Sequence, residues 1–289
     1  MITLKRITGL EHRISAQHGR LTAYTVGDNF SPNQSLKPIA ELMALRKRMG
    51  RQRLAQPCAV DNETTAFVKT TSIDSYPSRL RISLGLKRRS GAYDWPLAEL
   101  RNNVKASKRT DLIPTITGIG FARGRLGLVQ EVFLSFENLV GYVNGLEWMK
   151  KHPEKLESFI LTGLNSIRAL NALGIYHLDL WAGNIMVPAG SLNSPKVIDL
   201  ENCFIGTTAY HNETLGYQLG LFYQHSLGRL TTEAYYDAIV MNHIRGRSES
   251  DNEQFLSFYQ FYKHNSASRK ERFLIPLRGW RAAKPKPKL

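Results

Sequence analysis

Between Ile175 and Glu201 the chain reads Ile-Tyr-His177-Leu-Asp179-Leu-Trp-Ala-Gly-Asn184-Ile-Met-Val and then, after a turn of Pro, Gly, Ser and Asn, Lys196-Val-Ile-Asp199-Leu-Glu201. Carboxylates, a carboxamide and an imidazole stand here among short apolar runs. A carboxylate accepts a proton from a hydroxyl within hydrogen-bond reach, and carboxylate or carboxamide oxygens suit a small hard cation. A single loop Asp or Asn more often makes turn and cap hydrogen bonds. The ordered set, with a helix before it and hydrophobic strands around it, points to chemistry instead.

The elements that must position these residues can be read outward from them. A long amphipathic helix is predicted from about Pro153 to Leu173, with Leu156, Phe159, Ile160, Leu164, Ile167, Leu170 and Leu173 on one face and Gly174 as its stop. Further upstream, Thr64 to Thr71 is rich in β-branched residues and reads as a strand carrying Lys69. Asp94 before Pro96 marks a helix start, and Leu97, Leu100 and Val104 recur at helical spacing with Glu99 beside them. Thr115 to Ala122 and Leu126 to Phe133 flank Arg123-Gly124-Arg125 as a β-hairpin. Beyond Gly216 the chain reads as mostly helical, with its aromatic residues as core.

The order of parts around His177, Asp179, Asn184 and Asp199 resembles the catalytic and metal-binding loops of the protein-kinase-like fold. That pattern places a His, an Asp two residues on, an Asn five after the Asp and a second Asp on a later strand. The resemblance implies an α+β, bilobal fold. Residues 1–133 would form a small β-rich N-terminal lobe with a basic extension and nucleotide-binding strands, 134–280 a larger, mostly helical C-terminal lobe, and 281–289 a basic tail. It implies phosphoryl transfer from ATP with Mg2+ as cofactor. Asp179 would orient the acceptor hydroxyl and take its proton, His177 would brace the loop, and Asn184 and Asp199 would hold the metal. Lys69 would hold the α- and β-phosphates and Glu99 would hold that lysine. Glu131 would mark the entry to the hinge, where backbone groups bind adenine.

Departures from the protein-kinase pattern narrow the reading. No Gly-x-Gly-x-x-Gly precedes Lys69, so the phosphate-covering loop is placed only within residues 50–64. Trp181 stands where protein kinases acting on Ser or Thr usually carry a lysine, no Ala-Pro-Glu follows Asp199, and Asp199-Leu-Glu201 replaces Asp-Phe-Gly. A protein substrate is therefore disfavoured. A lysine strand, the basic linker Ser78 to Arg89, a helix with Glu, an Ile-Pro hairpin and His-x-Asp-Leu-x-x-x-Asn followed by Ile-Asp together resemble the bacterial lipopolysaccharide core kinases, the heptose and Kdo kinases, over residues 60 to 205. That family implies phosphorylation of a sugar hydroxyl on lipopolysaccharide core or a related glycolipid, at the cytoplasmic face of the inner membrane. A small PhoP-regulated kinase-like family, the YrbL type, shares much of the same skeleton.

Charge and composition bound the alternatives. The chain has 289 residues, 42% hydrophobic and 22% charged, which excludes fibrous and disordered classes. Cys58 and Cys203 are its two cysteines, too few for a disulfide scaffold or a cysteine-rich zinc motif, and fit thiols in a reducing compartment. Of the net charge of +15, residues 1–110 carry 20 basic and 8 acidic side chains. Such a field attracts polyanions: nucleic acid, an anionic membrane face or an acidic glycolipid. In the glycolipid reading Arg79, Arg81, Lys87, Arg88 and Arg89 gather anions while Leu80, Ile82, Leu84 and Leu86 rest at the interface. No base-stacking motif or recognition helix appears among the basic residues, so no specific nucleic acid is expected. The sequence shows neither a spanning apolar run nor an apolar signal core, and the expected residence is cytoplasmic and peripheral to the membrane. A regulatory pseudokinase that binds nucleotide without turnover is the alternative; the joint presence of Lys69, Asp179, Asn184 and Asp199 argues against it.

Overall fold

The computed structural model describes residues 14–26, 32–59, 65–89, 91–244 and 249–279, which fall into two compact units. The first comprises the chain to Lys108 together with Pro114–Val140, and the second comprises Arg109–Ile113 and the chain from Gly141. The expected division after Phe133 thus falls after Val140, because the strand that contains Phe133 runs on to Glu137.

The first unit is built on six antiparallel strands: β1 (Ile14–His18), β2 (Leu21–Thr25), β3 (Arg53–Ala59), β4 (Thr65–Ser72), β5 (Ile116–Arg123) and β6 (Val129–Glu137), in the order β1-β2-β5-β6-β4-β3. The expected hairpin is β5–β6. Helix α1 (Pro32–Arg48) covers one face of the sheet. Its Leu36, Ile39, Leu42 and Met43, spaced for one helix face, pack on Leu21, Ala23, Ala66, Val68 and Phe133. Helices α2 (Tyr76–Leu84) and α3 (Trp95–Ala106) cover the other face, where Ile82, Leu97, Leu100 and Val104 meet Ile119, Phe121, Leu134 and Phe136. Alternation along β4 buries Ala66 and Val68 against α1 and sets Lys69 on the opposite face.

The basic segment at Ser78 to Arg89 is mainly this short helix α2 and the turn after it. Ser75 caps its start and Gly85, at φ 63°, ends it in the left-handed region that glycine tolerates. Ile82 is core rather than interfacial, and the arginines are largely committed. Arg81 Nε and Arg88 Nε donate to the Asp94 carboxylate at 2.7 and 2.9 Å, and Arg79 Nε donates to the Ile73 carbonyl at 2.6 Å. The exposed members are Leu80, Leu84, Leu86, Lys87, Arg88 and Arg89, of which Arg88 is nonetheless tied to Asp94.

The second unit contains β7 (Tyr142–Asn144), helices α4 (Gly145–Lys151) and α5 (Leu156–Ala172), and four short strands, β8 (Ile175–His177), β9 (Ile185–Pro188), β10 (Lys196–Val197) and β11 (Cys203–Ile205). These strands form the sheets β10-β9-β7 and β11-β8. Helices α6 (His211–Phe222), α7 (Glu233–His243), α8 (Glu249–His264) and α9 (Arg269–Arg278) complete it, with a π-helical turn, Tyr223–Leu227, after α6. Gly216 and Gly220 let α6 lie directly on α8: a Cβ on Gly216 would stand 2.3 Å from the Phe255 carbonyl oxygen. Tyr217, Phe222, Tyr236, Phe255, Phe258, Tyr259 and Tyr262 are buried, as expected of core aromatics, whereas Tyr235 is 44% exposed and donates its hydroxyl to Glu157 at the surface. No described helix is long and apolar enough to cross a membrane. The tail 281–289 and residues 60–64 of the expected phosphate-covering segment lie outside the described residues.

Candidate active site

In the first unit the sequence-predicted Lys69 and Glu99 form a pair. Lys69 Nζ donates to Glu99 Oε1 at 2.6 Å, with Glu99 buried and Lys69 about three-quarters covered (24% exposed). The Phe136 ring lies 5.5 Å from the ammonium on another side. The 30 residues between the two partners are taken up by α2, which clamps the start of α3. Asp94 stands at the N-cap of α3 without capping through its side chain; its carboxylate instead receives Arg81, Arg88 and Ser78 Oγ. Burial alone would raise the Asp94 pKa, but Arg81 and Arg88 outweigh it and hold the carboxyl below its ordinary value. The basic linker therefore fixes the helix that carries Glu99.

Glu131 does not mark the hinge. It stands inside β6, paired in register with Ser72 of β4 and Ala122 of β5, so its main-chain groups belong to a strand flanked on both sides. Its buried carboxylate takes Arg46 Nη2 at 2.5 Å and Lys47 Nζ at 2.6 Å, which pins α1 to the sheet. The chain leaves the first unit several residues later, after Val140.

In the second unit the loop between β8 and β9 is closed by its own main chain and a few buried side chains. His177 is 1% exposed; Nε2 faces the Ile198 carbonyl at 3.0 Å, and Nδ1 accepts from the Asp179 N–H at 3.2 Å. These partners require the neutral tautomer with its proton on Nε2. Burial pushes the His177 pKa down, which keeps the ring in that form. Asn184 Nδ2 donates to the Asp179 carbonyl at 3.0 Å, and the Asn184 carbonyl accepts from Ile198 N–H at 3.0 Å. Tyr217 Oη donates to the Leu178 carbonyl, Gln218 Nε2 to the His177 carbonyl, and the Ala182 N–H to Ser226 Oγ of the π-helical turn. Gly183 lets the Trp181 ring lie against the loop: a Cβ there would stand 2.5 Å from the ring and displace it.

The Asp179 side chain, 23% exposed, is held at both oxygens. Asn202 Nδ2 donates to Oδ2 at 3.0 Å, and Arg272 Nη1 pairs with Oδ1. Asp199 follows β10 in the left-handed region, φ 66° and ψ 54°, a conformation that costs a non-glycine residue energy and clusters at functional sites. Carboxylate oxygens of Asp199 and Glu201 lie within 4.8 Å of each other, and Arg269 Nη2 holds Glu201 at 2.6 Å. With Asn184 they offer only oxygen donors, a set suited to Mg2+ and not to a softer metal.

The second unit thus brings together the sequence-predicted His177, Asp179 and Asn184 in one hydrogen-bonded loop, with Asp199 at the next turn. The first unit pairs Lys69 with Glu99. Sequence reasoning missed Asn202, Arg272, Arg269 and Ser226. The one available signal was that Asn202 follows Glu201 directly; the other three lie far along the chain, where nothing in residue type or spacing sets them apart.

No family model and no curated protein sequence matches the chain. Among solved structures it is similar to WaaP in complex with acyl carrier protein, at 16% identity and a TM-score of 0.45, over 72% of this chain and 83% of that one. It is also similar to the autoinhibited serine kinase domain of the giant muscle protein titin, at 10% identity and a TM-score of 0.39, over 82% and 83%. The antiparallel sheet with its lysine–glutamate pair and the helical unit with its His-x-Asp loop have the order of parts of the protein-kinase-like fold.

Proposed function

We propose that the protein is an ATP- and Mg2+-dependent phosphotransferase acting on a sugar hydroxyl of lipopolysaccharide core or a related glycolipid. The observation that carries the reading is the Asp179 loop. A partly exposed carboxylate is oriented at both oxygens on a backbone that His177 and Asn184 lock from either side. Each carboxylate oxygen has a further lone pair, so both donors leave capacity for a substrate proton.

In this reading Asp179 accepts the proton of the acceptor hydroxyl as its oxygen bonds to the γ-phosphorus and the bond to the β-phosphate oxygen breaks, releasing ADP. Lys69, kept in place by Glu99, neutralises charge on the α- and β-phosphates. Asn184 and Asp199 are the residues that would hold Mg2+; the ion, when bound, offsets phosphate charge. Neutral His177 does not enter the proton transfer: its two nitrogens are occupied in holding the Asp179 N–H and the strand that leads to Asp199.

The acceptor class is supported by charge and by α2. Tyr76, Leu80 and Leu84 recur every four residues along it and are 60%, 39% and 49% exposed, with Lys87 and Arg89 exposed just beyond. An apolar stripe beside cations suits the interface of an anionic membrane, where a glycolipid acceptor resides. The test is magnesium-dependent ADP release from ATP with and without rough lipopolysaccharide. Turnover that requires the glycolipid and labels its sugar supports the reading, and turnover indifferent to it on every core preparation removes the acceptor assignment.

A further inference from the structure

Asp179 needs partners that fix its carboxylate in one orientation, and its own loop contains no cation to do so. From Leu178 to Asn184 the residues are Leu, Asp, Leu, Trp, Ala, Gly and Asn. The cation comes from 93 residues downstream, on α9.

That helix is placed firmly. Ser268 and Glu271 form a capping box at its start, and Ile275 is fully buried in a cluster with Tyr176, Leu178, Tyr217, Phe258 and Tyr262. Leu178 is the neighbour of Asp179, and Ile275 lies three residues from Arg272 on the same helix face. One apolar cluster therefore fixes both the carboxylate and the guanidinium. Arg272 Nε is tied to the Ala267 carbonyl at 3.1 Å, which leaves Nη1 on Asp179 Oδ1; the arginine side chain is 14% exposed. Arg269, one turn earlier, holds Glu201. His225 of the π-helical turn is close enough to feel both Arg272 and Asp179, and burial together with Arg272 keeps its pKa below the ordinary value. Neutral at neutral pH, it does not compete with Arg272 for the carboxylate.

We infer that Arg272 is a positioning residue for phosphoryl transfer: from α9 it fixes the Asp179 carboxylate through Oδ1 while Asn202 fixes Oδ2, giving the proton acceptor a single orientation toward the acceptor hydroxyl. The inference rests on the phosphotransferase reading. It assigns to the C-terminal helix a part in the reaction that the sequence pattern of the loop lacks, and it explains why α9 packs against the strand and turn that surround Asp179 and Asp199.

The experiment compares Arg272→Met and Arg272→Lys in the wild-type and Asp179→Asn backgrounds of the full chain, with kcat and the KM for ATP measured separately. In the wild-type background Arg272→Met is expected to lower kcat about 100-fold and to leave the KM for ATP within about twofold, since a misoriented general base loses most of its contribution. Arg272→Lys, which keeps the charge, recovers most of that loss. In the Asp179→Asn background the same Arg272→Met change is expected to alter residual turnover by less than about twofold, because there is no longer a base to orient. An equal fold-loss in both backgrounds would assign Arg272 a structural role, and a rise in turnover on removing it would make α9 an inhibitory latch; either outcome overturns the inference. Wild-type turnover that Arg272→Met leaves unchanged ends this inference alone. A wild type that transfers no phosphate ends the phosphotransferase reading and this inference with it.

Discussion

The two units solve the problem of buried charge in different ways. In the β-rich unit, carboxylates sit singly and each is closed by cations: Glu131 by Arg46 and Lys47, Asp94 by Arg81 and Arg88, Glu99 by Lys69. In the helical unit, His177, Asp179, Asn184, Asp199 and Glu201 crowd into one stretch of 25 residues, and main-chain groups carry most of the load. The first arrangement anchors helices to a sheet. The second holds polar side chains still while leaving Asp179 partly exposed. Lys69 shares with Arg81 and Arg88 a buried carboxylate partner and partial exposure of its own, and it is the charge of this unit that has a chemical role in the proposal.

If that distinction is sound, breaking pairs in the two units should give different losses. The largest effect on turnover outside the Asp179 loop is expected for Lys69→Met, which should lower kcat/KM for ATP about 100-fold or more by removing a phosphate-neutralising cation. Its effect on unfolding by urea should be smaller than that of breaking the Arg46–Glu131 pair, because Lys69 is itself partly solvated and Glu99 has a further partner. Glu131→Ala should show the reverse. Arg46, 1% exposed, would be left buried without its carboxylate, at a cost of about 3 kcal/mol in urea unfolding, while the KM for ATP in the surviving folded protein stays near wild type. A nucleotide-binding defect in Glu131→Ala at full folding would revive a direct role for that residue and blur the comparison.

A smaller effect separates the units by pH. His177 is buried neutral, so its pKa in the folded protein is depressed below the ordinary 6.5. Below about pH 6.5 the unfolded chain takes up a proton that the folded chain refuses, and stability contributed by this site is lost as the pH falls from there toward the folded pKa. The slope for one proton is at most about 1.4 kcal/mol per pH unit. Urea midpoints between pH 7.5 and 5.5 should fall more steeply for the wild type than for His177→Asn. His225 and His243 have depressed values too and keep part of the slope in the variant. Parallel pH profiles for the two proteins would show that His177 does not stay neutral.

The same contrast governs what could be read in the sequence. The loop from His177 to Glu201 was legible because its residues must be close in sequence to share one turn of backbone, and Lys69 and Glu99 because a β-branched strand and a Leu-spaced helix announce themselves. Partners that meet only in space were not. Arg272 has no feature of type or spacing that separates it from solvated helix charges, and the commitment of Arg81 and Arg88 to Asp94 depends on the fold of α2 onto α3. Glu131 was misplaced because β6 continues four residues beyond Phe133, to Glu137, which no turn residue in the sequence forbids. The strand β3 escaped because Pro57 interrupts it; the structure tolerates that proline at the sheet edge, where a strand has one hydrogen-bonding neighbour.

The most direct measurement is nucleotide binding and phosphoryl transfer in Asp179→Asn and Asp199→Ala beside the wild type, with urea unfolding of all three. Asp179→Asn is expected to bind Mg-ATP within about twofold of wild type and to lose turnover by 100-fold to 10,000-fold, the usual contribution of a general base. Asp199→Ala is expected to weaken Mg-ATP binding itself. Equal losses of stability in both variants, with ATP binding and turnover following folding alone, would contradict the assignment and make the loop a structural cluster.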